Sequence, residues 1–230
     1  MKILLAAAVF PGLYLAYRVY REDRIEKEPM GLLVKCFLMG CIAILPAVVL
    51  ELIFDSALET VVAPDTALYY LVECFLIIGI AEEGSKYVLL RLSTWKHPAF
   101  DFSFDGIVYA VCTGVGFAVL ENILYVTEGG LAVALVRALT AVPAHTVFGV
   151  FMGLYYGQAK VSAARGDRKN YRDNIRKALI IPIFLHGLYD FLASMESVPM
   201  SLLFLLLVIL LDVAAIKKVR QASASDHPVW

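Results

Sequence analysis

Long apolar stretches alternate with short polar segments along almost the whole chain. A helix of ~20 residues crosses the ~30 Å hydrocarbon core of a bilayer, which makes these stretches candidate membrane spans. Sequence alone fixes their boundaries to within about three or four residues. The candidate spans are residues 3–19, 30–54, 68–92, 104–126, 131–159, 178–195 and 198–217.

This pattern predicts an all-α fold, a polytopic transmembrane helix bundle of about seven spans. Of the 230 residues, 60% are hydrophobic and 18% are charged, whereas a soluble domain averages ~45–50% apolar residues. We expect one transmembrane domain over residues 1–220 and a flexible polar tail over 221–230. The first span follows Lys2 as a signal peptide would, but no small-residue cleavage site follows it, so we interpret it as a retained helix.

Basic residues predict the orientation of the bundle. Of the 20 Lys and Arg residues, 16 lie in loops 18–28, 91–103 and 160–177 and in the segment from 217 onward, and the alternate connections hold none. The positive-inside rule makes the basic side cytoplasmic. We therefore expect the N-terminus outside, the C-terminus in the cytoplasm and the lipid bilayer as the main surroundings.

Net charge and cysteine pattern argue against nucleic-acid binding and against disulfide or metal-binding cysteines. The net charge of −1 gives no reason to expect a nucleic-acid partner. The four cysteines all lie within predicted spans and form no C-x-x-C pair, so we interpret them as reduced core residues without a disulfide or metal role.

Polar side chains inside the predicted spans carry most of the functional information. A charge at the bilayer centre costs about 2.5 kcal/mol or more, so such residues mark functional sites by default. Glu82 and Glu83 are adjacent, and Lys86 follows one helical turn after Glu82. The whole set is Glu73, Glu82, Glu83, Lys86, Glu121, Asn122, Arg137, His145, His186 and Asp190.

Three spans place a carboxylate or an imidazole at a similar depth. At ~1.5 Å per residue, Glu82 lies ~15 Å from the cytoplasmic end of its span, His186 ~12 Å and His145 ~16–21 Å. His145 begins a stripe with a glycine at every fourth position up to Gly157, which lets a neighbouring helix approach closely. His186 and Asp190 also share one helix face. We expect these groups to meet in one polar centre.

Each feature also has a purely structural interpretation. Glu82 and Lys86 suit an internal ion pair, and the two histidines would then be hydrogen-bonded core residues. Glu121 and Asn122 would pair locally, and Arg137 would extend to the outer interface. The shared depth of the glutamates and histidines instead favours a single functional centre.

The chemistry of such a centre suits hydrolysis. A desolvated glutamate can act as a general base near neutral pH, and a histidine can share its proton or stabilise an oxyanion. The same side chains can also hold a zinc-like divalent metal with a bound water, so the residues leave open whether a metal is present. The sequence has no H-E-x-x-H and no G-x-S-x-G motif, which argues against a zincin and against a serine protease.

Four segments resemble the PrsW family of bacterial membrane proteases, within the superfamily of CAAX prenyl proteases and bacteriocin-processing enzymes. They span about 110 residues in the family's order. The segments are AEEGSKYVLL (81–90), FDGIVYAVCTGVGFAVLENILYV (104–126), RALTAVPAHTVFGVFMGLYYG (137–157) and HGLYDF (186–191).

The resemblance implies an intramembrane protease in the bacterial cytoplasmic membrane, with a catalytic core at about 68–195. It implies cleavage of a single-span membrane protein, typically an anti-sigma factor, at the start of a stress-signalling cascade. The expected catalytic residues are Glu82, Glu83, His145 and His186, with Glu121, Asn122, Asp190 and Lys86 in supporting roles.

In this hypothesis, Glu82 or Glu83 together with His145 holds the water that attacks a peptide carbonyl. His186 with Asp190 then stabilises the oxyanion. Two other classes stay open: a proton- or ion-coupled transporter that uses the same cluster as a relay, and a non-catalytic membrane scaffold.

Overall fold

The computed structural model describes residues 2–230, whose regular secondary structure is helical apart from one isolated β-bridge. The all-α prediction is therefore confirmed. The helices are α1 (Lys2–Glu22), α2 (Met30–Glu59), α3 (Ala67–Val72), a π-helix (Glu73–Ile78), α4 (Gly79–Thr94), α5 (Asp105–Leu139), α6 (Ala141–Ala164), α7 (Arg168–Ser194) and α8 (Val198–Ala224).

Five helical segments are long and apolar enough to cross a membrane. The prediction of seven spans adds α1 and the run from α3 to α4. That run is divided into shorter pieces by the π-helix and contains the charged residues of the third predicted span. The exact number of spans and their orientation stay predictions. The five segments are Met30–Glu59, Asp105–Thr127, Gly129–Ala164, Arg168–Ser194 and Val198–Ala224.

The chain reverses direction at Gly130 within the helix assigned as α5. Gly130 has φ 71° and ψ −159°, a region open to glycine because it lacks a Cβ atom. The reversal brings Arg137 back to within 2.7 Å of Glu121, although a straight helix would separate them by ~24 Å. The polar residues on both sides of the bend can therefore act together.

Helices α5 and α6 pack backbone to backbone along the predicted glycine stripe. A Cβ atom added at Gly106 would lie 2.7 Å from the carbonyl oxygen of Gly153, and one added at Gly149 would lie 3.0 Å from that of Ala110. A Cβ atom at either position would press on the facing backbone, so glycine favours this approach. The expected close packing is confirmed, and it fixes the rigid side of the bundle that carries His145.

Gly153→Ala is expected to destabilise the bundle, because its new Cβ atom would press on the backbone of Gly106 and Ile107. Overpacking typically costs about 1–3 kcal/mol. Gly84→Ala is the matched control, since nothing lies within 4 Å of a Cβ atom added there. Thermal unfolding in detergent should show a lower midpoint for Gly153→Ala alone. Equal midpoints for the two variants would contradict the close approach.

The C-terminal residues lie against the loop that precedes α5. Phe102 and Pro228 form the isolated β-bridge, and the amide of Val229 donates to the carbonyl of Asp101 at 2.8 Å. Residues 221–230, predicted as a flexible polar tail, instead continue α8 and then form this strap. Their polar composition gave no sign of the backbone hydrogen bonds that hold them.

Candidate active site

The residues predicted to form one polar centre lie together in the middle of the bundle. Helix α4 supplies Glu82, Glu83 and Lys86, α6 supplies His145, and α7 supplies His186. Each of the two glutamates and two histidines is buried, and one oxygen or nitrogen of each lies within 4.8 Å of the others. The proximity expected from helical depth is confirmed.

Lys86 occupies the centre of this cluster. Its Nζ lies 2.9 Å from Glu82 Oε2, 2.8 Å from Glu83 Oε1 and 3.1 Å from His145 Nδ1. The Phe117 ring closes the remaining side, 3.8 Å from the ammonium nitrogen. Because an ammonium group only donates hydrogen bonds, His145 Nδ1 must accept and its Nε2 must carry the proton.

The proton on His145 Nε2 points to Glu121. The Nε2 atom lies 2.9 Å from Glu121 Oε2, and the Arg137 guanidinium lies 2.7 Å from the same oxygen. Asn122 does not contact the glutamate–histidine cluster itself, but its Oδ1 accepts from Arg137 Nε at 3.0 Å. The Gly130 reversal turns the Arg137 side chain onto Glu121. Its expected position near the outer interface stays a prediction.

His186 lies between carboxylates on both sides of its ring. Its Nδ1 is 2.9 Å from Glu83 Oε1, and its Nε2 is 3.1 Å from Asp190 Oδ2. The second contact is close but lacks hydrogen-bond geometry, since Asp190 Oδ2 has no hydrogen-bond partner. Glu83 therefore pairs directly with His186, whereas His145 reaches the glutamates through Lys86.

Two glycines bring α7 close enough for this pairing. A Cβ atom added at Gly79 would lie 2.9 Å from the carbonyl oxygen of Ile183, and one added at Gly187 would lie 2.7 Å from the Phe75 ring. Phe75 belongs to the π-helix directly before α4. The contact between these segments sets the distance from the α4 glutamates to the α7 histidine.

Glu51 is a carboxylate within electrostatic range of the centre that sequence reasoning missed. It lies on α2, and its carboxylate interacts electrostatically with Glu82 and Lys86. Its Oε1 atom is buried without a hydrogen-bond partner, as is Asp190 Oδ2. The available signal was an acidic residue inside the predicted span 30–54, the same signal that identified the other carboxylates.

The donor set fits a divalent metal ion. Two imidazoles and two carboxylates are typical zinc ligands, and the unpartnered oxygens on Glu51 and Asp190 indicate that the centre has more negative charge than its partners neutralise. Lys86 contacts three of the four candidate ligands. A metal ion bound to these ligands would occupy the site of the Lys86 ammonium. The two cations therefore exclude each other, because they would repel at such a short distance.

Comparisons with known proteins agree with this geometry. The family described as PrsW family intramembrane metalloprotease matches residues 28–216. Protease PrsW of Geobacillus kaustophilus is 34% identical, covering 98% of this chain and 94% of its own length. Protease PrsW of Oceanobacillus iheyensis is 32% identical (97% and 97%), and that of Bacillus subtilis is 34% identical (86% and 85%). No solved structure matches the chain.

Proposed function

Because the chain belongs to the PrsW family and is an intramembrane protease, we propose that Glu82 activates the water that cleaves its substrate. The substrate is a single-span membrane protein, of the anti-sigma-factor class that the family resemblance implies. The observation that carries the proposal is the buried cluster of glutamates, histidines and Lys86 in the middle of the bundle.

Glu82 suits the general base better than Glu83 does. Its Oε2 accepts from Lys86, while the other oxygen has no hydrogen bond among residues 2–230 and can accept one from water. Glu83 Oε1 is held by both Lys86 and His186, and the side chain is only 1% exposed against 9% for Glu82. We therefore assign Glu83 the role of positioning His186.

The proposed reaction moves one proton between named atoms. Glu82 takes a proton from water as the water oxygen bonds to the peptide carbon. His186 acts in its doubly protonated form: Nδ1–H donates to Glu83 Oε1, and Nε2–H, which makes no hydrogen bond to Asp190 Oδ2, donates to the resulting oxyanion. When the carbon–nitrogen bond breaks, the proton on Glu82 passes to the leaving amine.

A divalent metal fits the same residues. Glu82, Glu83, His145 and His186 would hold it, with Lys86 displaced. When bound, it would supply Lewis-acid polarisation of the carbonyl and a more acidic water.

The substrate segment is proposed to enter from the extracytoplasmic side of a bacterial cytoplasmic membrane. The most exposed members of the centre are Glu121, at 18%, and Asp190, at 23%. In the predicted orientation both lie outward of His186 and His145. The partial exposure of these two carboxylates supports cleavage near the outer boundary of a single-span protein.

Glu82→Gln is expected to abolish cleavage while the protein still inserts in the membrane, because glutamine cannot accept a proton. The measurement compares new protein N-termini in membranes that contain the parent chain or the variant. Termini near the membrane boundary of single-span proteins should appear only with the parent. Glu59→Gln, at an exposed acid of α2, is the matched control.

Persistence of the same termini in Glu82→Gln would remove Glu82 from the role of base. Absence of any new termini with the parent, together with proton flux in liposomes, would favour the transporter instead.

A further inference from the structure

The active-site cluster consists of Glu82, Glu83, Lys86, His145 and His186. A second group of carboxylates lies away from it, at the start of α5. Asp23, Glu28 and Asp105 each offer an oxygen within 4.8 Å of the others. Their exposed fractions are only 1%, 4% and 1%. Asp105 and Glu121 lie on the same helical segment and are separated by ~24 Å of rise, so the group is distinct from the active-site cluster. In the predicted orientation it lies at the cytoplasmic side.

No lysine or arginine in the described part of the chain forms an ion pair with these three carboxylates. Lys27, in the same loop, turns its ammonium to the backbone carbonyls of Tyr20 and Asp23. Lys27 therefore acts on the Asp23 carboxylate only at longer range. The nearby charges of Asp101 and Asp226 are also negative. Three buried carboxylates without an ion-pair partner are strongly unfavourable as anions.

Hydrogen bonds satisfy only part of this group. Asp105 Oδ2 accepts from the amides of Asp101 at 3.0 Å and Phe102 at 2.7 Å, and the Tyr109 hydroxyl donates to Glu28. Asp23 Oδ2 is buried without any hydrogen-bond partner. This oxygen is therefore available to a ligand that enters the group.

We propose that Asp23, Glu28 and Asp105 bind a hard divalent cation, Ca²⁺ or Mg²⁺. All three ligands are oxygens, which such cations prefer, and the group contains no histidine or cysteine. Ca²⁺ holds its ligands at ~2.3–2.6 Å, so opposite ligands lie up to ~5 Å apart. The three oxygens lie within 4.8 Å of one another, close enough for one ion to contact all three.

Such an ion would join the loop after α1 to the start of α5. Asp23 and Glu28 both lie between α1 and α2, and Asp105 is the first residue of α5. The bound cation would therefore stabilise the packing of three helix ends on one side of the membrane, independently of catalysis.

The test uses Mn²⁺ as a paramagnetic probe on the full chain in detergent. The Glu82→Gln/Glu83→Gln/Lys86→Met protein serves as the parent, so that the active-site cluster loses its carboxylate ligands and keeps no unpaired buried ammonium. Electron paramagnetic resonance should detect one bound Mn²⁺ per chain. Addition of Asp23→Asn should abolish that binding, whereas addition of Glu26→Gln, an exposed acid of the same loop, should leave it intact.

Titration with Ca²⁺ and with Mg²⁺ then identifies the preferred ion as the one that displaces Mn²⁺ at the lower concentration. Absence of bound Mn²⁺ in the parent, or its retention after Asp23→Asn, would overturn the proposal.

Thermal unfolding gives a second, independent measurement. In chelator, Asp23→Asn should unfold at a higher temperature than the parent, because it removes an uncompensated buried charge. With Ca²⁺ or Mg²⁺ the order should reverse. Midpoints that do not respond to either cation in the parent would also contradict the site.

Discussion

Lys86→Met is expected to convert the active-site cluster into a much tighter divalent-metal site. Loss of the ammonium leaves Glu82 and Glu83 buried without their shared counter-ion. Removing one partner of a buried ion pair destabilises a protein by about 3–5 kcal/mol. Zinc can restore the missing positive charge on the same ligands. Methionine is the replacement because its unbranched, flexible side chain fills irregular core space.

The measurement is the unfolding midpoint of Lys86→Met in chelator and in Zn²⁺. The variant should be much less stable than the parent in chelator and should recover with Zn²⁺, and its zinc affinity should exceed that of the parent. Lys217→Met, at an exposed lysine of α8, should behave as the parent does. A Lys86→Met protein that binds zinc no more tightly would show that Lys86 does not compete with a metal.

Glu121→Gln is expected to reduce cleavage by about 10–100-fold, the usual cost of changing a residue that orients a functional histidine. One carboxylate oxygen of Glu121 accepts from both His145 and Arg137, at 2.9 and 2.7 Å. An uncharged amide removes the anion that fixes the proton on His145 Nε2, and it leaves the Arg137 guanidinium without its partner. The His145 imidazole should therefore be less well oriented, and the protein should unfold at a lower temperature.

A second substitution separates these two effects. Glu121→Gln/Arg137→Met removes the unpaired guanidinium, so thermal stability should recover while cleavage stays low. Glu59→Gln serves as the exposed control for both measurements. Parental cleavage rates in Glu121→Gln would show that the contact between Glu121 and His145 has no role in the reaction.

The sequence predicted that the two glutamates, Lys86 and the two histidines meet in one buried cluster, but it did not identify Glu51. Charged groups are conspicuous in apolar spans, and the fixed rise of a helix converts residue counts into depth. Glu82, His145 and His186 were placed at similar depths by this count and are indeed within contact of one another. The ion pair of Glu82 with Lys86 followed from helical periodicity alone.

The sequence could not predict which individual side chains of the cluster contact one another. The direct contact of Glu83 with His186 depends on a few ångströms of helix approach, set by the glycine contacts between α7 and the π-helix. The contact of Arg137 with Glu121 depends on the backbone reversal at Gly130. Counting residues along a helix treats each span as straight and independent. It therefore predicts neither the distance between two helices nor a reversal of the backbone within one.

The π-helix at Glu73–Ile78 has a consequence for how relatives of this chain align. Its backbone hydrogen bonds join residues five apart, whereas those of an α-helix join residues four apart. Each residue added to an α-helix turns everything beyond it by about 100°. A regular helix would therefore present Glu82 to a different side of the bundle unless the chain were one residue shorter. Relatives with a regular helix here should carry a single-residue gap between Ala67 and Glu82.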